Sequence, residues 1–281
     1  MKRATSVLLE GLAFPEGPRW HDGRLWFSDM HADRVKRVGL DGKSEDVVEV
    51  PGRPSGLGWL PDGRLLVVSM ADRRLLRLDA NGLAQVADLS ALATGHCNDM
   101  VVDERGRAYV GNFGFDLDAG EAPRTADLVL VTPEGDARSV ASDLSFPNGT
   151  VIAPDGATLI VGETYAQRLT AFDVASDGTL SGRRTWAQLN DRLPDGICLD
   201  AEGGIWVAAP FSGEVLRVVE GGEVSDRIAV TTQAYACMLG GPDGCTLFVC
   251  TADSHEPEKC RAEATGRIEI AEVEVPGAGL P

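Results

Sequence analysis

Phe14-Pro-Glu-Gly-Pro-Arg-Trp-His-Asp-Gly-Arg-Leu-Trp-Phe27 holds a Pro-x-Gly start, a β-rich run, an Asp-Gly pair and a second apolar run. Asp-Gly between two such runs is a strong hairpin signal, because the turn needs positive φ and Gly supplies it. The pattern returns at 54–68, 97–110, 147–161, 194–207 and 237–249. Its turn glycines are Gly23, Gly63, Gly106, Gly156, Gly203 and Gly244, separated by 40, 43, 50, 47 and 41 residues. That interval fits one four-stranded propeller blade per repeat.

The first repeat resolves into strands over 18–21, 24–28, 34–40 and 44–50, with Asp22-Gly23 and Asp41-Gly42 at two turns. The sixth supplies only three strands, the last at 268–275. A spare strand at 6–12 precedes the first repeat, and it aligns with the fourth-strand slot: compare Gly11-Leu-Ala-Phe-Pro-Glu-Gly17 with Asp143-Leu-Ser-Phe-Pro-Asn-Gly149. The expected fold is therefore all-β, a single six-bladed β-propeller over 1–281, with the N-terminal strand completing the last blade and removing its open edge.

Composition narrows the function. Of 281 residues, 43% are hydrophobic and 25% charged, ordinary values for a globular chain. A formal net charge of −17 excludes nucleic acid and anionic membranes as partners, since both require a basic surface. No apolar run approaches the roughly 18 residues of a membrane span, and Glu10 interrupts Val7-Leu8-Leu9 before a signal-peptide core can form. A cytoplasmic monomer is expected, with six reduced cysteines that act mainly as small buried apolar residues. Without a C-x-x-C pair there is no cysteine zinc site, and without G-x-S-x-G there is no serine-esterase elbow.

First strands line a propeller's channel. Aligned on the Pro-x-Gly starts, they offer Glu16, Ser55, Asn98, Asn148, Asp195 and Cys237 as a ring at one mouth. Four of these carry carboxylate or amide oxygens, the donors a hard cation prefers. Glu16 and Asp195 supply two negative charges and Asn148 a neutral oxygen. Carboxylates crowded around a narrow channel are costly without a cation, so a metal site is expected. The loops joining strands two and three (28–33, 70–73, 112–126, 163–167, 210–213 and 251–266) return to this mouth. The long ones, 112–126 and 251–266, are candidate rims. His31 is a candidate substrate contact there. His21 and the tryptophans read as structural, with Trp20, Trp26, Trp59 and Trp206 packing between blades. Cys237 reads as a thiol lining the channel.

Phe14-Pro-Glu-Gly-Pro, Asn98-Asp99, Phe146-Pro-Asn-Gly and Leu193-Pro-Asp-Gly, in this order and each opening a blade, make the chain resemble the regucalcin (senescence marker protein)/gluconolactonase family from end to end. The resemblance implies a six-bladed propeller with one divalent metal held at Glu16, Asn148 and Asp195, with Asn98 contacting substrate or water. It implies hydrolysis of a lactone to its hydroxy acid. Calcium is the expected ion, with zinc, manganese or ferrous iron as alternatives. Asp195 is the candidate general base, or else purely a ligand.

Two departures bear on the substrate. His96 stands where family sugar lactonases carry an arginine, and imidazole cannot supply a guanidinium's fork of donors. The family's acidic substrate contact falls near Asp116, in a longer loop that carries Phe113 and Phe115. These aromatics point to a lactone less polar than gluconolactone. The alternatives are phosphotriester or other ester hydrolysis in the same channel, and a non-catalytic calcium- or ligand-binding propeller.

Overall fold

The computed structural model describes residues 3–279. Six sheets form a ring, the six-bladed β-propeller that the repeat predicts. Blade one runs outward through Pro15–His21, Arg24–Asp29, Arg34–Val38 and Ser44–Glu49. Blade six takes Gln233–Gly240, Thr246–Ala252 and Gly266–Glu272 from the C-terminal part and Ser6–Leu12 from the start. Ser6 lies opposite Ile270 and Leu12 opposite Gly266, antiparallel, so the ring closes as expected. One lacing was not expected: Arg3–Ala4 continues past blade six and pairs in parallel with the outer strand of blade five, Arg3 opposite Ile228.

Local chemistry sets the hairpins. All six turn glycines have positive φ, between 69° and 85°, a region closed to most residues with a Cβ. In blades two and four the aspartate before the glycine accepts a hydrogen bond from the backbone two residues on, Asp62 from Arg64 N at 3.1 Å and Asp155 from Ala157 N at 2.9 Å. A glycine after the ring residue answers a different need. A Cβ at Gly149 would come within 2.5 Å of Ile197 N, so only glycine lets neighbouring inner strands approach so closely.

The core is a circle of apolar clusters between blades. Trp26 meets Trp59 edge-to-face at 5.5 Å between blades one and two, and Trp20 stacks on Phe248 at 5.3 Å between blades one and six. His21 stacks on Trp59 at 4.0 Å, a structural role on the turn face. The loop after strand two of blade six contains a helix, Pro257–Glu263, begun by a proline at its first turn. No helix among the described residues is long and apolar enough to cross a membrane.

Candidate active site

The inner strands break register close to the ring position, between Glu16 and Arg19, Pro54 and Leu57, Cys97 and Met100, and Pro147 and Thr150. Such irregularities re-aim side chains, here at the channel mouth. In blade six the shift falls between Ala234 and Ala236, which puts Tyr235 on the ring. Hydrogen bonds between blades agree: Gly196 N donates to Tyr235 O at 2.8 Å, as Gly149 N donates to Asp195 O at 3.2 Å. The expectation of Cys237 there is thus corrected. Cys237 lies two residues further on, buried with its Sγ 3.4 Å from Trp206 O and 3.8 Å from Cys198 Sγ. The error has a physical source. Blade six has no Pro-x-Gly start to align on, and its hairpin leaves residues 241–245 unpaired between Gly240 and Thr246 where that of blade one turns within 22–23, so its ring residue stands further from the turn glycine.

Two carboxylates and an amide share the mouth. Glu16 Oε2 accepts from Gly17 N at 3.0 Å. Asn148 Nδ2 donates to Thr164 Oγ1 at 3.3 Å, and that hydroxyl donates to Pro194 O at 2.7 Å. This relay engages the amide nitrogen and leaves Oδ1 for a ligand. Burial pushes Asp195 up to about 8, with the Asp99 carboxylate adding to the effect and hydrogen bonds from Asn148 and Gly196 opposing it. Glu16 is raised well above the usual carboxylate range, first by burial and then by Asp195. Asp99, also raised by burial, is paired with Arg19 Nη2 at 2.7 Å inside the channel.

Among the described residues no three His, Cys, Asp or Glu side chains converge as a metal cluster. The set at the axis is instead two acids with a carbonyl-type oxygen. An all-oxygen, doubly negative set fits a hard divalent cation, which would offset the cost of keeping two buried carboxylates ionised.

Around this set lie the other expected residues. Asn98 Nδ2 and His96 Nδ1 are buried without a hydrogen-bond partner, an unusual state that suits groups awaiting a ligand. Burial lowers the His96 pKa, so its imidazole is neutral near pH 7. Phe113 stacks on Phe146 at 4.5 Å, while Phe115, only 1% exposed, packs near Phe146 and Tyr165. Phe115 therefore anchors its loop and offers no surface to a substrate. The apolar side chains exposed on the mouth loops are instead Leu117, Tyr165 and Phe211. Asp116 folds back on its own loop, its Oδ1 accepting from Ala119 N at 2.9 Å.

His31 is 5% exposed and stacked on Phe14 at 5.1 Å, so it is no open loop residue. Its Nε2 lies 3.2 Å from His255 O, a contact that requires the proton on Nε2 and leaves Nδ1 bare. Burial depresses its pKa from 6.5 to about 4. A histidine lowered on folding leaves the unfolded chain holding more protons between those values, so its stabilising contribution is complete above pH 6.5 and is lost as pH falls towards 4. His31→Gln is expected to flatten the decline in melting temperature between pH 7 and pH 4.5. An unchanged slope would refute the assignment.

Sequence reasoning missed Tyr235 and the Arg19–Asp99 pair. Only Asp99 carried a signal, as the residue after Asn98 in a ring motif.

A closed six-bladed ring with acids and amides at one mouth defines a propeller of the channel-site class. Residues 14–253 match the family model described as SMP-30/Gluconolactonase/LRE-like region, and the chain belongs to that family. It is 26% identical to the pentonolactonase XacC of Haloferax volcanii, over 95% of this chain and 94% of that one. It is 27% identical to a 6-deoxy-6-sulfogluconolactonase of Pseudomonas putida, over 95% and 93%. The crystal structure of regucalcin from Agrobacterium tumefaciens, titled a calcium-binding protein, shares the fold with a TM-score of 0.83 at 24% identity, covering 100% of this chain and 97% of the other.

Proposed function

We propose that this protein is a divalent-metal-dependent lactonase that opens a lactone ring to the hydroxy acid at the channel mouth. The observation that carries this reading is the pair Glu16 and Asp195, both raised by burial, Glu16 further by Asp195 and Asp195 further by Asp99, beside an Asn148 whose nitrogen is already engaged. These three residues would hold the ion. The all-oxygen set favours calcium over zinc, with manganese and ferrous iron as further candidates. When bound, the cation supplies Lewis acidity for the ester carbonyl and for water. Relatives named as a pentonolactonase and a sulfogluconolactonase support the substrate class.

The chain's own residues do the remaining work. The unpartnered Asn98 Nδ2 donates to an oxygen of the lactone and fixes the ring over the mouth. Asp195 takes the proton from the attacking water, its basicity set by burial against the opposing pull of the cation. His96 borders the ring as a neutral imidazole.

The test is proton release from a panel of sugar-acid, aliphatic and aromatic lactones. Chelated protein is compared with protein refilled with calcium, zinc, manganese or ferrous iron. Turnover that disappears on chelation and returns with one ion is expected. Hydrolysis indifferent to chelation would overturn the metal's role, and no ring opening with any ion would leave a binding propeller.

A further inference from the structure

Two tiers of residues surround the mouth. Beyond the ring stand Phe14, Arg53, His96 and Phe146, each two residues earlier than Glu16, Ser55, Asn98 and Asn148. Their equivalence is written in the backbone. Each carbonyl accepts from a residue just beyond strand two of its own blade: Met30 N to Phe14 O at 2.8 Å, Met70 N to Arg53 O at 2.8 Å, Phe113 N to His96 O at 2.9 Å and Thr164 N to Phe146 O at 3.1 Å. Blades one and four place aromatics at this position. Blade two places an arginine.

Arg53 holds a φ of 63°, a left-handed conformation that a residue with a long side chain seldom adopts. Its side chain is 22% exposed, and Nη2 lies 2.8 Å from Asp118 Oδ2, on the long loop of blade three. The Asp118 side chain is 39% exposed, so the pair crosses from blade two to the blade-three loop at the surface of the mouth. The Arg53 charge reaches both His31 and His96. Neither imidazole is charged near neutral pH, so Arg53 brings a permanent cation to this arc. Beside it, blade three contributes the unpartnered Asn98 Nδ2 and His96 Nδ1. The metal-type acids Glu16 and Asp195 belong to blades one and five. The mouth is thus divided: the acids suited to a cation stand on blades one and five, whereas blades two and three bring Arg53, Asn98 and His96 together, with Asp118 and Asp116 near enough to act on His96.

We propose that the lactone carries a carboxylate, and that Arg53 binds this group in place of Asp118, which occupies the guanidinium while the site is empty. The inference rests on the lactonase reading and adds the substrate class: lactones of hydroxy-dicarboxylic acids. A guanidinium's planar fork matches a carboxylate with two parallel N–H···O bonds. The Asp118 carboxylate shows that this chemical group fits there. Because Asp118 is more exposed than Arg53, water can take over its solvation when it leaves, which makes it a displaceable stand-in.

The test compares a lactone bearing a ring carboxylate with its neutral primary-amide counterpart, in the wild type, Arg53→Gln and Asp118→Asn. The wild type is expected to prefer the acid by at least about tenfold in kcat/KM, the scale of one charge-assisted bond. Arg53→Gln should bring that ratio to within about twofold, chiefly through KM. Asp118→Asn should lower KM for the acid by removing the internal competitor. Should Arg53→Gln fail to fold, the exposed Asp118→Asn reads the same competition.

Calorimetric titration of the full chain with a hydroxy-dicarboxylate and its monoamide supplies a readout that does not need turnover. Tighter binding of the dicarboxylate, strengthened by Asp118→Asn, is expected. Equal binding of acid and amide, or weaker acid binding in Asp118→Asn, overturns the proposal. Hydrolysis of neutral lactones without acid preference overturns it and leaves the lactonase reading intact. Preferential dicarboxylate binding with no lactone turnover sinks the lactonase reading alone.

Discussion

Asp195→Asn is expected to lower kcat/KM for lactone hydrolysis by roughly 10³-fold or more, while raising the melting temperature of the chelated protein. The two effects share one cause. Without a cation, Glu16 and Asp195 face each other in a desolvated channel, and burial with the neighbouring Asp99 charge pushes the Asp195 carboxyl from 3.8 to about 8. A carboxyl raised on folding binds more protons in the native state than in the unfolded chain. Its charged form therefore erodes stability as pH rises from about 4 towards 8. The isosteric amide removes that charge, and with it the proposed metal ligand and base.

In chelator, the variant should melt a few degrees above the wild type at pH 8, given about 2–4 °C per kcal/mol for a chain of this size class. At pH 5 the difference should shrink. Calcium should raise the wild-type melting temperature more at pH 8 than at pH 5, and should barely move the variant. Differential scanning fluorimetry at the two pH values, with and without calcium, measures all of this. A variant that melts lower in chelator and still turns over would show that the acids of the ring hold the fold and not the chemistry.

What the sequence revealed about this site follows the range of the interactions involved. Hairpins were legible because their determinants are adjacent: an aspartate bonding two residues on, and a glycine with φ near 75°. The closing strand was legible because 6–12 repeats the pattern that precedes Phe146-Pro-Asn-Gly. Five ring positions were legible through the sequence that opens each blade. The sixth was not, because Ala234-Tyr235-Ala236 carries no Pro-x-Gly and the hairpin after it is longer.

Long-range pairings were hidden altogether. Arg19 reaches Asp99 across 80 residues, and Arg53 reaches Asp118 in a loop that begins six strands later. The direction of Phe115 was hidden for a related reason. An aromatic in a long loop reads as a rim residue until Phe146 and Tyr165 are seen to enclose it. The helix Pro257–Glu263 has a proline start but only seven residues, too few to show helical periodicity.

Truncation to a chain that begins at Ala13 is expected to abolish cooperative folding or to lower the melting temperature by more than about 10 °C. The reason is architectural. Blade six obtains its fourth strand from Ser6–Leu12, so removing it exposes the hydrogen-bonding edge of Gly266–Glu272 along its length. Leu12 is buried in the apolar cluster between blades five, six and one, and Leu8 and Leu9 pack against the same cluster. The Thr5 hydroxyl also donates to the Glu269 carboxylate, which is fully buried and shared with Thr231 and Thr251. Losing Thr5 removes one of the donors that keep this charge satisfied.

A single change isolates the packing share. Leu12→Ala should cost about 2–5 kcal/mol, as for other buried leucines, and leave the ring closed. The truncated chain should in addition associate through its open edge, visible as concentration-dependent growth in light scattering. A synthetic peptide of residues 3–12 added in trans should reverse that growth by filling the vacant slot. If the truncated chain remained monodisperse and melted within a degree or two of the full chain, the closing strand would be an ornament on a ring already stable through its five complete blades.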